Sequence, residues 1–113
     1  MPYIATTTNA RLTDGQRDAM KRRMGEAIRL LPGKSEQWLM LSWRDGTPMA
    51  FRGSDAPCAI CEVKLYGASS PENYDRLTGA LCAIVEQETG VPAGRVYVTY
   101  QEVENWGFDG SNF

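Results

Sequence analysis

The chain reads as one strand–helix–strand unit written twice, each helix ending at a glycine. Residues 2–8, PYIATTT, are β-branched and aromatic after a proline, a composition that favours an extended start. Thr13 and Asp14 suit a helix N-terminus. Met20, Met24, Ala27, Ile28 and Leu31 then fall on one stripe at helical spacing, with Arg and Lys opposite. Pro32-Gly33 stops that helix, because glycine suits the left-handed residue after a C-terminus. Gln37 to Trp43 follows as an apolar strand, Arg44 to Thr47 as a turn, and Pro48 to Phe51 as a short strand. In the second unit Cys58 to Tyr66 is a strand, and Ser70-Pro71 opens a helix, proline costing little in the first turn. Tyr74, Leu77, Leu81, Ile84, Val85 and Glu88 trace one side of it, Gly90 and Pro92 end it, and Arg95 to Val103 is the last long strand. Gly33 and Gly90 hold equivalent places, which gives the chain a pseudo-two-fold internal repeat.

The repeat restricts the fold to an α/β (α+β) layer arrangement in a single domain spanning residues 1–113. Each crossover should be right-handed and pair its two strands in parallel. Two helices cover only one face of a four-stranded sheet. The other face is expected to carry some of Tyr3, Trp38, Met40, Ile60, Val63, Val96 and Val98, too apolar a set to stay wet, so self-association is expected.

Composition removes several functions. Twelve Lys and Arg stand against fourteen Asp and Glu, so no basic surplus is available to neutralise the phosphates of a nucleic acid. No apolar run reaches the roughly 18 residues of a membrane span. The start, MPYIATTTNARLT, lacks the basic and apolar regions of a secretory signal, so a cytoplasmic location is expected. Three cysteines are too odd a count for a complete disulfide framework. The absence of histidine eliminates Ser-His-Asp and Cys-His catalysis and histidine-based metal sites.

One unusual base remains. A small second residue permits removal of Met1, which would leave Pro2 as a ring-fixed secondary amine. An α-amino group titrates near pH 8, and apolar surroundings lower that value, so the freed nitrogen would be a neutral base suited to taking a proton from carbon beside a carbonyl.

The Met-Pro start, PGK at 32–34, MAFRGSDAPCAIC at 49–61, RVYVTY at 95–100 and the NWGF…SNF ending together resemble the macrophage migration inhibitory factor family of the tautomerase superfamily. The resemblance covers the whole chain and implies two β-α-β units in one four-stranded mixed sheet. It further implies a homotrimer whose sheets surround a central channel, with active sites at subunit interfaces. The implied reaction is keto–enol tautomerisation of an aromatic α-keto acid such as phenylpyruvate, without cofactor or metal.

On the resemblance, Pro2 is the catalytic base and Lys34 binds the substrate carboxylate, although a lysine after a helix also serves the helix dipole. Tyr97 would reach the substrate ring from a neighbouring subunit, with Thr99, on the same side of the strand, where the family often has asparagine. Tyr66 replaces a smaller aliphatic whose backbone N–H helps hold the substrate. Trp106 and Phe108 match the pocket rim, and Trp38 stands where a rim tyrosine is usual. Cys58 and Cys61 form a CxxC motif that the family links to thiol–protein oxidoreductase activity. A strand would point the two to opposite faces, so burial is the expected role, as for Cys82 in its helix. The rival functions are a cytokine-like ligand of a cell-surface receptor, exported without a signal peptide, and a CxxC thiol oxidoreductase.

Overall fold

The computed structural model describes all residues from Met1 to Phe113. Strand β1 (Pro2–Thr8) leads to helix α1 (Asp14–Ala27), and β2 (Met40–Arg44) closes the first unit. β3 (Ala59–Tyr66), helix α2 (Pro71–Thr89) and β4 (Val96–Val103) make the second. A small hairpin of β5 (Gly107–Phe108) and β6 (Ser111–Asn112) ends the chain. The main sheet has the order β2-β1-β3-β4. β2 runs parallel to β1 and β4 parallel to β3, while β1 and β3 are antiparallel at the centre. The repeat is therefore real: each unit contributes one parallel pair, and the pseudo-two-fold axis passes between β1 and β3.

Local chemistry fixes the helix ends as the sequence implies. Thr13 and Gln16 form a reciprocal capping box, with Gln16 N–H donating to Thr13 Oγ1 at 3.1 Å and Thr13 N–H to Gln16 Oε1 at 2.8 Å. Ser70 caps α2 by accepting from Asn73 N–H at 3.1 Å, and Pro71 occupies the first turn. Gly90 closes α2 in the left-handed conformation, with φ of 81°. Both helices lie on one face of the sheet. Met20, Met24, Ile28, Leu77, Leu81, Ile84 and Val85 meet Ile4, Cys61, Val63 and Leu65 in a single buried core. Glu88, read as part of the inner side of α2, instead pairs with Arg23 of α1 at 2.8 Å.

Four expectations need correction. Helix α1 ends at Ala27, and Ile28–Leu30 continue as a 3₁₀ turn. Residues three apart are eclipsed in that winding, so Ile28 and Leu31 both stay buried. The expected strand at 37–43 begins only at Met40, while Glu36–Trp38 form another 3₁₀ turn. The first register pair is Tyr3 with Met40; the one β1 residue before it, Pro2, has no N–H with which to extend the ladder toward Leu39. No strand spans Pro48 to Phe51; a single bridge joins Phe51 to Ser54 around Arg52 and Gly53, at φ of 53° and 74°. Finally, Val63, Val96 and Val98 belong to or pack on the helix-covered core. Side chains alternate along a strand, and these three have the parity of Cys61 and Leu65. The open face instead mixes Tyr3, Met40, Ile60 and Tyr97 with Glu62, Lys64, Arg44 and Thr99, and is more polar than the sequence reading supposed.

Gly90 has no atom within 4 Å of the place a Cβ would take, so only its backbone conformation resists substitution. Gly90→Ala should therefore lower unfolding free energy by about 1–2 kcal/mol, the left-handed penalty. Gly90→Asn should cost less in the same denaturant titration; an equal loss for both would contradict the assignment.

Candidate active site

β1 begins at Pro2, the residue expected to be the base. Pro2 is buried and pairs with Leu65 across the central antiparallel ladder. Ahead of it, the Met1 carbonyl accepts the Tyr66 N–H at 3.0 Å. The Lys34 ammonium donates to the Tyr66 carbonyl at 2.9 Å, so both polar groups of the Tyr66 backbone are directed at this corner. Lys34 arrives there because the left-handed Gly33, with φ of 83°, reverses the chain after the first helix, and Lys34 N–H closes back onto Leu31 O at 3.0 Å.

The amine of Met1 is held below its usual 8.0 first by burial and then by the neighbouring Lys34 charge. Both effects disfavour the protonated form. An amine at this corner is thus drawn toward neutrality, the condition a base requires.

A cleft of about 690 Å³ opens from the N-terminus, lined by Met1, Pro2, Trp38, Met40, Trp106 and Phe108 among others. Trp38, 44% exposed, and Phe108, 49% exposed, meet edge to face with ring centroids 5.4 Å apart. The C-terminal hairpin brings Phe108 into place through a tight turn in which Asp109 and Gly110 take φ of 52° and 90°. Phe113, which the sequence reading did not single out, stacks on Phe108 at 6.3 Å and lies against the Tyr66 ring at 5.5 Å. Its signal was present as Asp109-Gly110, a hairpin dipeptide that folds the last aromatics back on the cleft.

The structure thus gathers Pro2, Lys34, Tyr66, Trp38, Trp106 and Phe108, but not Tyr97 or Thr99. The ladder runs Pro2–Leu65–Glu102 at the cleft end and Thr7–Ile60–Tyr97 at the other. Five residues along a strand separate the two rows, about 16 Å. Tyr97 and Thr99 do share the open face, as the sequence implied, and both are exposed.

The CxxC motif is not poised for redox work. Cys58 and Cys61 are both buried and unpaired. Cys58 lies just before β3 and is not part of the core cluster that holds Cys61. Burial pushes the Cys61 thiol up to about 11 despite its 3.6 Å contact with Thr6 Oγ1, so its reactive thiolate is scarce. Cys82 is half-buried rather than core, and burial raises its thiol as well. No group of histidine, cysteine, aspartate and glutamate side chains is arranged to hold a metal ion. No helix is long and apolar enough to cross a membrane.

Two measurements check this corner. In protein retaining Met1, Lys34→Met should raise the pKa of the terminal amine toward 8.0 while burial still holds it below that value. Amine acylation followed against pH would read the shift, and an unmoved or lowered midpoint would remove Lys34 as its cause. Cys61 should resist a thiol-specific disulfide reagent at neutral pH until the protein is unfolded, and rapid labelling of the native chain would contradict its burial.

Comparison with known proteins agrees with the fold. The family model for macrophage migration inhibitory factor matches residues 1–113. A macrophage migration inhibitory factor homolog from Wuchereria bancrofti is 28% identical over 115 residues, covering 100% of this chain and 99% of its own. The macrophage migration inhibitory factor of Mus musculus is 28% identical over 122 residues, with the same coverage. Among solved structures, Leishmania major MIF2 is 34% identical with a TM-score of 0.94, covering 100% of this chain and 97% of that one. The homologue from Prochlorococcus marinus is 29% identical with a TM-score of 0.89, covering 98% of each chain. With its tautomerase-type fold of two helices on a four-stranded mixed sheet, the chain belongs to the macrophage migration inhibitory factor family.

Proposed function

We propose that this protein is a tautomerase that interconverts the keto and enol forms of an aromatic α-keto acid such as phenylpyruvate, with Pro2 as base once Met1 is removed. The observation that carries the reading is the corner itself: an N-terminal amine disfavoured as a cation, beside Lys34, at the mouth of an aromatic cleft. Removing Met1 transfers the free nitrogen to Pro2, which is buried at the start of a strand paired on both sides. It also takes away the carbonyl that now accepts the Tyr66 N–H, leaving that donor available to a substrate oxygen.

Lys34 holds the substrate carboxylate, and Trp38, Trp106 and Phe108 enclose the ring. Neutral Pro2 nitrogen takes a proton from the carbon beside the ketone; the electron pair of that C–H bond becomes the new C=C π bond as the carbonyl π pair moves onto the ketone oxygen. The resulting prolinium then gives the proton to that oxygen, so the product is an isomer and the amine is regenerated. Tyr97 and Thr99, remote from the cleft of their own chain, serve the cleft of a neighbour in a homotrimer. Supporting that assignment are the exposure of Tyr97 and its place on the sheet face that the helices leave uncovered.

The thiol oxidoreductase reading is the weaker one, because the buried Cys61 resists forming thiolate. The two separate cleanly by mutation. Pro2→Gly, which keeps a small second residue, should lower kcat/KM for phenylpyruvate by roughly a hundredfold or more, whereas Cys58→Ser should leave it unchanged. The reverse pattern would overturn the tautomerase reading. Activity requires the neutral amine, so kcat/KM rises with pH through the Pro2 pKa. Lys34 lowers that pKa, so Lys34→Ala should move the acidic limb to higher pH as well as raise KM.

A further inference from the structure

Tyr97 is 60% exposed, yet its ring is not free. Phe51 meets it edge to face, with centroids 5.0 Å apart and planes at 88°. The Arg95 guanidinium lies over Phe51 at 5.2 Å from the ring centroid. Arg95 is in turn fixed by three main-chain carbonyls: its Nε donates to Pro57 O at 2.9 Å, and one terminal nitrogen donates to Ala56 O at 3.0 Å and Ser54 O at 3.2 Å. Those carbonyls are the last of the Phe51–Ser54 turn and two just after it, and the turn bonds to itself by Phe51 N–H to Ser54 O at 2.9 Å and Ser54 N–H to Phe51 O at 3.1 Å.

None of this reaches the chain's own cleft. The cluster occupies the Thr7–Ile60–Tyr97 end of the sheet, opposite the Pro2 end. A rigidly backed, largely exposed tyrosine is the kind of side chain that anchors an interface, because little rotamer freedom is lost when a partner covers it. We propose that Arg95 and Phe51 are positioning residues for the active site of a second copy of this chain, setting the angle at which Tyr97 enters the neighbour's Pro2 cleft. The inference rests on the assembly and reaction proposed above, and it assigns a task to two residues that never touch the substrate. Arg95 suits the position because its planar fork both stacks on the ring and donates to several carbonyls, a combination lysine lacks.

The test uses mixed trimers. Arg95→Ala should lower kcat/KM for phenylpyruvate about tenfold, chiefly through KM, and should add no further loss in a Tyr97→Ala background. Pro2→Gly supplies subunits with an intact platform and no base. Co-assembling the two parents should give activity above their weighted mean, because the base of an Arg95→Ala subunit then meets the platform of a Pro2→Gly neighbour. Activity at or below the mean, or additive losses with Tyr97→Ala, would overturn the proposal. If the native protein converts no phenylpyruvate, the function reading fails, and assembly alone decides the platform. Sedimentation on dilution should then show Arg95→Ala and Phe51→Ala dissociating at higher concentration than the native chain, and unchanged midpoints for both would overturn it.

Discussion

β1 is bonded along both edges, by parallel β2 on one side and antiparallel β3 on the other, and the rest of the molecule is arranged around that pairing. It joins the two repeated units into one sheet. Its alternation turns Pro2, Ile4, Thr6 and Thr8 toward the helices and Tyr3, Ala5 and Thr7 to the open face. Because the first residue after Met1 already belongs to the ladder, the N-terminus is not a loose end. It is a fixed group whose position depends on the whole sheet, which is the circumstance that lets a main-chain nitrogen act as a placed functional group.

Electrostatics at that group follow from two separate stretches of chain. Gly33 brings Lys34 to the corner from the end of the first helix, and Tyr66 brings two backbone polar groups from the end of β3. The cation and the partial burial act in the same direction on the amine. Neither signal is visible in the local sequence around Pro2, which is why a Met-Pro start alone says little.

The repeat, the caps and the helix faces were legible because each rests on short-range periodicity or on a single residue such as Thr13, Ser70 or Gly90. The 3₁₀ turn at Glu36–Trp38 was not, since the start of β2 is set by its register with β1, a long-range fact. The open face was misread for a related reason: Ile60 and Val63 both look apolar, but three residues apart on a strand they face opposite ways. Most of the cleft was named in advance from the family resemblance, whereas Phe113 enters only through the hairpin that returns it to Tyr66 and Phe108. The separation of Tyr97 from Pro2 follows from register, which composition and spacing do not reveal.

The bond between the Met1 carbonyl and the Tyr66 N–H has a consequence for the timing of biosynthesis. In the folded chain the Met1 carbonyl is tied to the Tyr66 N–H, so a protease acting on the Met1–Pro2 bond would first have to break that hydrogen bond. The partner strand lies some sixty residues downstream, at Ala59–Tyr66, and is still unmade when the first residues leave the ribosome. Trimming is therefore favoured on the nascent chain, before β3 exists to pair with β1. A chain that folds with its methionine in place keeps that hydrogen bond, so on the proposed mechanism the yield of free Pro2 termini is decided largely during translation.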